Sequence, residues 1–249
     1  MTKRAFQAVV AGAIFALAGT GVGLAAQVTV GPQRSGERSV FDFSSKSETP
    51  RETENVEGTL TLTRGERSSV RIDIVTDNGT TSSIDAHYER SGTVTVPAPD
   101  SGVSAQSQTP EAPPLPFALQ RLNQIVELTA RMPAAVQTGD SWKASVTVPL
   151  PRGETASVPV TVNVAAESDA GIDLEAHGES HLLFSPPAPS GGFDAPPPDA
   201  VQMKLSVRTT AHFTGGRLDK AAGNLQSTFG ADKPITISSD WSLALEAPL

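Results

Sequence analysis

Leu115-Pro116-Phe117-Ala118-Leu119-Gln120-Arg121-Leu122-Asn123-Gln124-Ile125-Val126-Glu127-Leu128-Thr129-Ala130-Arg131-Met132-Pro133, followed after five residues by Gly139-Asp140-Ser141-Trp142-Lys143-Ala144-Ser145-Val146-Thr147-Val148, is the stretch on which the fold turns. Leu115, Leu119, Leu122, Ile125, Val126 and Thr129 or Met132 recur at helical spacing, so the first part has a face to bury. Pro116 suits a first helical turn and Pro133 forbids continuation beyond about Arg131. Beyond Gly139-Asp140, which is turn chemistry, Trp142, Ala144, Val146 and Val148 alternate with Lys143, Ser145 and Thr147, the period of a half-buried strand. A helix from Leu115 to Arg131 handing over to a strand is therefore expected.

On both sides of this stretch the pattern is sheet. Val28 and Val30, then Val40, Phe41 and Phe43, Leu60 and Leu62, and Val70, Ile72 and Ile74 mark successive short strands. Ser44 to Glu57, charged and polar with no apolar face, is expected to be an exposed excursion. Asp77-Asn78-Gly79-Thr80 predicts a tight hairpin between a strand ending at Thr76 and one holding Ile84, Ala86 and Tyr88, because Asn-Gly accepts positive φ. After Trp142 the meander resumes with Val158, Val160, Val162 and Val164, then Ile172, Leu174 and Ala176, then Met203, Leu205, Val207, Ala211 and Phe213. Gly215-Gly216 turns the chain into Arg217 to Phe229, where Gly223 is expected at a bulge. In the last strand Ile235, Ile237, Trp241, Leu243 and Leu245 share a face.

Two proline-rich stretches interrupt the meander. Pro97 to Pro116 holds six prolines and Ser185 to Pro198 is a second long loop. The first either divides two domains or carries the chain across one sheet; the second alternative is favoured, since the residues before it offer few large apolar side chains for a core of their own. The expectation is one domain over residues 27–249, mainly β: a strongly curved antiparallel sheet or open barrel, with the helix packed on its apolar face.

The N-terminus predicts export. Lys3 and Arg4 precede an apolar run from Phe6 to Leu24, and Leu24-Ala25-Ala26 offers a small-residue cleavage site, so residues 1–26 read as a signal peptide and the destination as periplasmic or extracellular. A retained anchor is disfavoured because the run is barely bilayer-length and is broken by Gly12, Gly19, Gly21 and Gly23. Cleavage would take two of the 19 Lys and Arg and none of the 27 Asp and Glu, leaving a net charge near −10. Such a balance argues against a nucleic-acid partner. With no cysteine, disulfides and a lipid-modified N-terminal cysteine are both ruled out. Asn78-Gly79-Thr80 is a glycosylation sequon, outweighed by its role as a turn.

The combination of signal peptide, β meander, helix and Val136-Gln137-Thr138-Gly139-Asp140-Ser141-Trp142 resembles a group of uncharacterised exported bacterial proteins in which Val-x-x-Gly-Asp-x-Trp opens a strand and a stretch like Gly216-Arg217-Leu218 lies downstream. Element order is also similar to the half-barrels of periplasmic lipoprotein carriers, whose curved sheet cradles an acyl chain. That likeness implies an apolar ligand between helix and sheet and carries over no ligand residue.

Chemistry is sparse. There is no Gly-x-Ser-x-Gly elbow and no Ser-x-x-Lys at the head of a helix, so no enzyme and no cofactor are expected. Asp173, Glu175, His177, Glu179 and His181 would share one strand face about 7 Å apart, and His177, Glu179 and His181 are the candidate metal ligands; a solvated polar face is the stronger alternative. His87 with Asp85 and Glu89 repeats the pattern, and nothing is read into His212. Candidate ligand-binding residues are Phe117, Leu128 and Met132, off the helix's main stripe, with Trp142 and Trp241. The two tryptophans are expected first as core anchors, with aromatic platforms for a ligand as the alternative. The expected function is non-catalytic: binding of an apolar or amphiphilic small molecule between helix and sheet. Alternatives are an envelope protein acting through protein contacts and a metal-dependent enzyme.

Overall fold

The computed structural model describes residues 28–89, 92–96, 116–150, 154–184, 200–230 and 233–246. The signal-like segment 1–26, Leu115, residues 97–115 of the first proline-rich stretch and all of the second fall outside them. In chain order the elements are β1 (Arg38–Glu48), β2 (Thr53–Arg64), β3 (Ser69–Thr76), β4 (Thr81–Tyr88), β5 (Val94–Thr95), α1 (Phe117–Thr129), β6 (Ser141–Pro149), β7 (Thr155–Ser168), β8 (Gly171–Phe184), β9 (Val201–Thr214), β10 (Arg217–Phe229) and β11 (Ile235–Leu245). The strands form one open antiparallel sheet in the order β5-β4-β3-β2-β1-β11-β10-β9-β8-β7-β6. One meander runs outward from β1 to β5. The chain then crosses through α1 to the opposite edge and a second meander returns from β6, so that β11 docks on β1. The expected mainly β architecture with a single helix is the one observed.

Local chemistry explains the joints. At the β3–β4 hairpin Gly79 takes φ +83°, and the Asn78 side-chain oxygen accepts from the Thr76 hydroxyl at 2.6 Å and the Thr80 N–H at 3.0 Å. Pro159 sits inside β7, where it has no N–H to give. The β7–β8 ladder runs from Ser168↔Gly171 only as far as Val160↔Gly178, whereas β8 stays paired with β9 to Phe184. The β7–β8 ladder thus ends next to the proline, while β6 and β7 stay paired as far as Pro149↔Thr155.

Two expectations are corrected. Ser44 to Glu57 is not an excursion: β1 continues to Glu48 and β2 starts at Thr53, joined at a turn where Thr49 N–H donates to the Glu52 carbonyl at 2.9 Å. Residues Ser44 to Glu48 have backbone partners on both sides, in β2 and β11, and that pairing makes a strand without an apolar face. Nor is Gly223 a bulge. The ladder slips at Asp219, between Leu218 and Lys220, and again at Ala165 in β7, while Gly223 pairs in register with Thr209 and Trp241. Its role is space: a Cβ there would lie 2.7 Å from Trp241 ring atoms and 2.6 Å from the Arg208 carbonyl oxygen.

The inner face of the sheet carries the core. Phe41, Leu60, Leu62, Ile72, Val158, Val162, Leu174, Leu205 and Phe213 are all buried there against Leu119, Leu122, Ile125 and Leu128 of α1. Each such side chain contributes about 1.5–3 kcal/mol. The face predicted for β11 is right, but it is not buried throughout: Trp241 is 5 % exposed, Ile237 37 % and Ile235 52 %.

Candidate functional site

The helix does more than cover the sheet; its polar side chains bind both sheet edges. On one side Asn123 donates through Nδ2 to the Val94 carbonyl at 2.7 Å and accepts from the Val94 N–H at 2.8 Å, satisfying both outward groups of the edge strand β5. On the other side Gln124 donates to the Thr147 carbonyl at 2.9 Å, and Glu127 accepts from the Thr147 N–H at 2.7 Å and its hydroxyl at 2.6 Å. The Trp142 indole N–H donates to the Leu128 carbonyl at 2.9 Å, near the helix end where carbonyls lack intrahelical partners. Unpaired edge groups in β5 and β6 are thus covered by one element.

Gripped on both flanks, α1 is buried over a wider arc than one stripe. Ala118, Leu119, Arg121, Leu122, Gln124, Ile125 and Leu128 are all buried. Leu128, expected off the stripe, is 1 % exposed and belongs to the core. Val126 and Thr129, expected on it, are half-buried and line a cleft.

That cleft, about 550 Å³, lies at the C-terminal flank of α1. Leu122 and Val126 from the helix, Val94 from β5, and Val28 and Val30 from the N-terminal segment make its apolar wall; Gln33, Arg64, Ser68 and Glu89 supply polar groups. Thr29 pins the N-terminal segment, donating to the Gly216 carbonyl at 2.7 Å and accepting from Leu218 N–H at 2.9 Å. Glu37 holds its far end by accepting from the backbone N–H groups of Gln33 and Arg34 at 2.8 and 2.9 Å; with Arg217 at 3.1 Å, these keep its carboxyl below the ordinary range. The Arg64 guanidinium stands 4.5 Å over the Tyr88 ring, whose hydroxyl is buried without a hydrogen-bond partner among the described residues and is pushed up by burial to about 12. The cleft is therefore amphipathic.

At the other end of α1 lies a group that sequence reasoning passed over. Arg121 is 3 % exposed. Its Nη1 donates to Gln124 at 3.0 Å, its Nε has no partner among the described residues, and its guanidinium stands 4.5 Å from the Phe117 ring and 5.9 Å from Trp241. Among the described residues no carboxylate pairs with it. Burial lowers its pKa to about 10, so at neutral pH it is still a cation. An unpaired buried ion costs several kcal/mol, of which stacking on aromatic faces returns about 2 kcal/mol or more. Its signal in the sequence was a charged residue one helical turn from Phe117 and Ile125, on an arc that proved to be buried.

Of the sequence-predicted ligand residues, Phe117 and Trp241 come together around Arg121, and Leu128 and Trp142 meet through the indole hydrogen bond. Met132 packs half-buried at the core's edge. None of the five lines the cleft, a correction that follows from the position of α1: its predicted off-stripe side is turned into the core by the β6 edge. Trp142, expected in the core, is half-buried.

The polar outer face gives no metal shell. His177, Glu179 and His181 stand apart along β8, and the Glu179 carboxylate is held by Lys204 at 2.9 Å, which keeps it below the ordinary range. Among the described residues no three His, Asp or Glu side chains converge. His212, set aside in the sequence, bonds Asp173 through Nδ1 at 2.6 Å and faces the Thr214 hydroxyl through Nε2 at 3.2 Å. The chain of contacts follows the order of acyl-transfer triads; Asp173 and His212 are 49 % and 27 % exposed and line a second cleft of about 550 Å³ with Lys220.

Fold and site together define a class by geometry: an open antiparallel sheet bridged edge to edge by one helix, with an amphipathic cleft at one end of that helix and a buried cation toward the other. The chain matches no family model and no curated protein.

Proposed function

We propose that this is an exported, non-catalytic binding protein that takes an amphiphilic small molecule between helix and sheet. The observation that carries the reading is the cleft of about 550 Å³ beside α1, where an apolar wall of Val30, Val94, Leu122 and Val126 meets polar groups from Gln33, Arg64 and Glu89. Its volume falls in the range of small-molecule sites. The ligand enters at the flank of the helix, where this cleft lies. Export rests on the basic start and apolar run of residues 1–26.

Native mass spectrometry of protein purified from its own host tests the binding: a co-purifying amphiphile is expected, and its loss on Val126→Phe, which fills the cleft. A clean apo mass would leave protein contact as the better reading. That alternative is favoured by one feature, the edge of β4 from Thr81 to Ala86, which has no second strand partner among the described residues because β5 meets only His87 and Tyr88. Intact mass of the exported species is expected to start at Ala26 or Gln27, whereas a full-length chain in the membrane fraction refutes cleavage.

A further inference from the structure

We propose that Arg121 is an anion receptor inside the sheet and takes the carboxylate of an acid-headed amphiphile whose chain lies along β11 toward Ile235. Two independent features converge on one place. Arg121 is a buried guanidinium with an orphan Nε and no described counter-ion. Thr209, 3 % exposed, is a second buried side chain whose Oγ1 has no partner among the described residues. Both are tied to the Trp241 indole. The guanidinium stands 5.9 Å from that ring, and in the sheet Thr209 pairs with Gly223, which pairs with Trp241. Gly223 has no side chain to intervene, and the indole lies over it.

Buried charges are as a rule paired, and buried donors satisfied. Here the Nε of a cation and a hydroxyl in the same row of the sheet as Trp241, both capable of donating, lack an acceptor among the described residues. A carboxylate supplies the missing charge and the missing acceptor atoms in one group, and guanidinium donors match its geometry. A neutral acceptor would supply only the second.

The tail has a path from the same point. Along the inner face of β11 exposure rises from 5 % at Trp241 through 37 % at Ile237 to 52 % at Ile235. Six residues of strand span about 20 Å at about 3.4 Å each. This inference rests on the reading of the protein as an amphiphile binder, but it places the acid head at the end of α1 away from the cleft.

The test is calorimetric titration of the purified protein with decanoate and, separately, decanol, in wild type and Arg121→Met. Decanoate is expected to bind wild type, decanol at least about tenfold more weakly, and Arg121→Met to lose that preference, as follows when a charge-assisted hydrogen bond is removed. Equal binding of acid and alcohol by wild type overturns the receptor while leaving the binding function standing. So does an undiminished preference for decanoate in Arg121→Met, which assigns the ligand to the cleft. Binding of neither probe overturns both. The comparison of probes on wild type does not depend on the variant folding, and Arg121→Met removes an unpaired buried ion, a change that cores tolerate.

Discussion

Gly223 and Trp241 show how a single missing side chain sets the interior. A Cβ at Gly223 would meet both the indole and the Arg208 carbonyl oxygen, the second being backbone that cannot swing aside. Gly223→Ala is expected to cost about 1–3 kcal/mol by chemical denaturation, the range for overpacking. Trp142 calls for a smaller figure than a core ring does. It is half-buried with one hydrogen bond, so Trp142→Phe should lose about 1 kcal/mol and Trp142→Ala about 2–3 kcal/mol, beneath the range for fully buried aromatics. Glu37 makes a pH prediction. Its carboxyl is held below the ordinary 4.5 first by the Arg34 and Gln33 N–H groups, so its contribution is complete above that value and is lost as pH falls through the lower folded value. Protection of the Gln33 and Arg34 amides against exchange is expected to fall as pH drops through the lowered folded value and to be lost at neutral pH in Glu37→Gln. Residue roles were the least legible part of the sequence. Arg121 and Gln124 are polar letters that a helical wheel assigns to solvent, and only the flanking sheet edges show that they are enclosed.

The helix is the element on which the two meanders depend. Asn123 satisfies both outward backbone groups of Val94, and losing it strands a donor and an acceptor in a partly buried place. Asn123→Ala is expected to cost about 1–3 kcal/mol, with faster amide exchange at Val94 as the local signature. Element existence was legible: alternation found the long strands, Asn-Gly found the β3–β4 turn, and proline placement bracketed α1 to within two residues. What escaped were properties that depend on neighbours. The lower halves of β1 and β2 are strands because β11 lies alongside, which composition cannot show, and the buried arc of α1 was misjudged because sheet meets it on two sides. Pro159 was also silent: a proline inside an alternating run reads as a blemish until the ladder is seen to part there.

At the scale of the molecule the governing fact is that β11, the last strand in the chain, is the middle strand of the sheet, with five on either side. Ser44 and Ser242 meet at 2.8 Å although 198 residues separate them. Contacts of that span make folding slow for the size, and stopped-flow refolding is expected to fall in the milliseconds-to-seconds range of all-β topologies. The class of fold and the order of the long strands could be read from the sequence, whereas the strand expected at Val28 and Val30 is only an isolated bridge at Thr29 and β5 went unseen; nor could the pairing of β1 with β11 at the centre be read, since nothing in either names its partner.

On the ribosome this arrangement leaves the keystone for last. Until Ile235 to Leu245 have emerged, the nascent chain holds two half-built sheets whose bare margins, β1 and β10, wait for the same missing strand. A messenger truncated before Ile235 is therefore expected to yield protein that borrows from its neighbours, running as soluble oligomers or aggregate on size exclusion, while adding the missing strand back as a separate peptide restores the monomer.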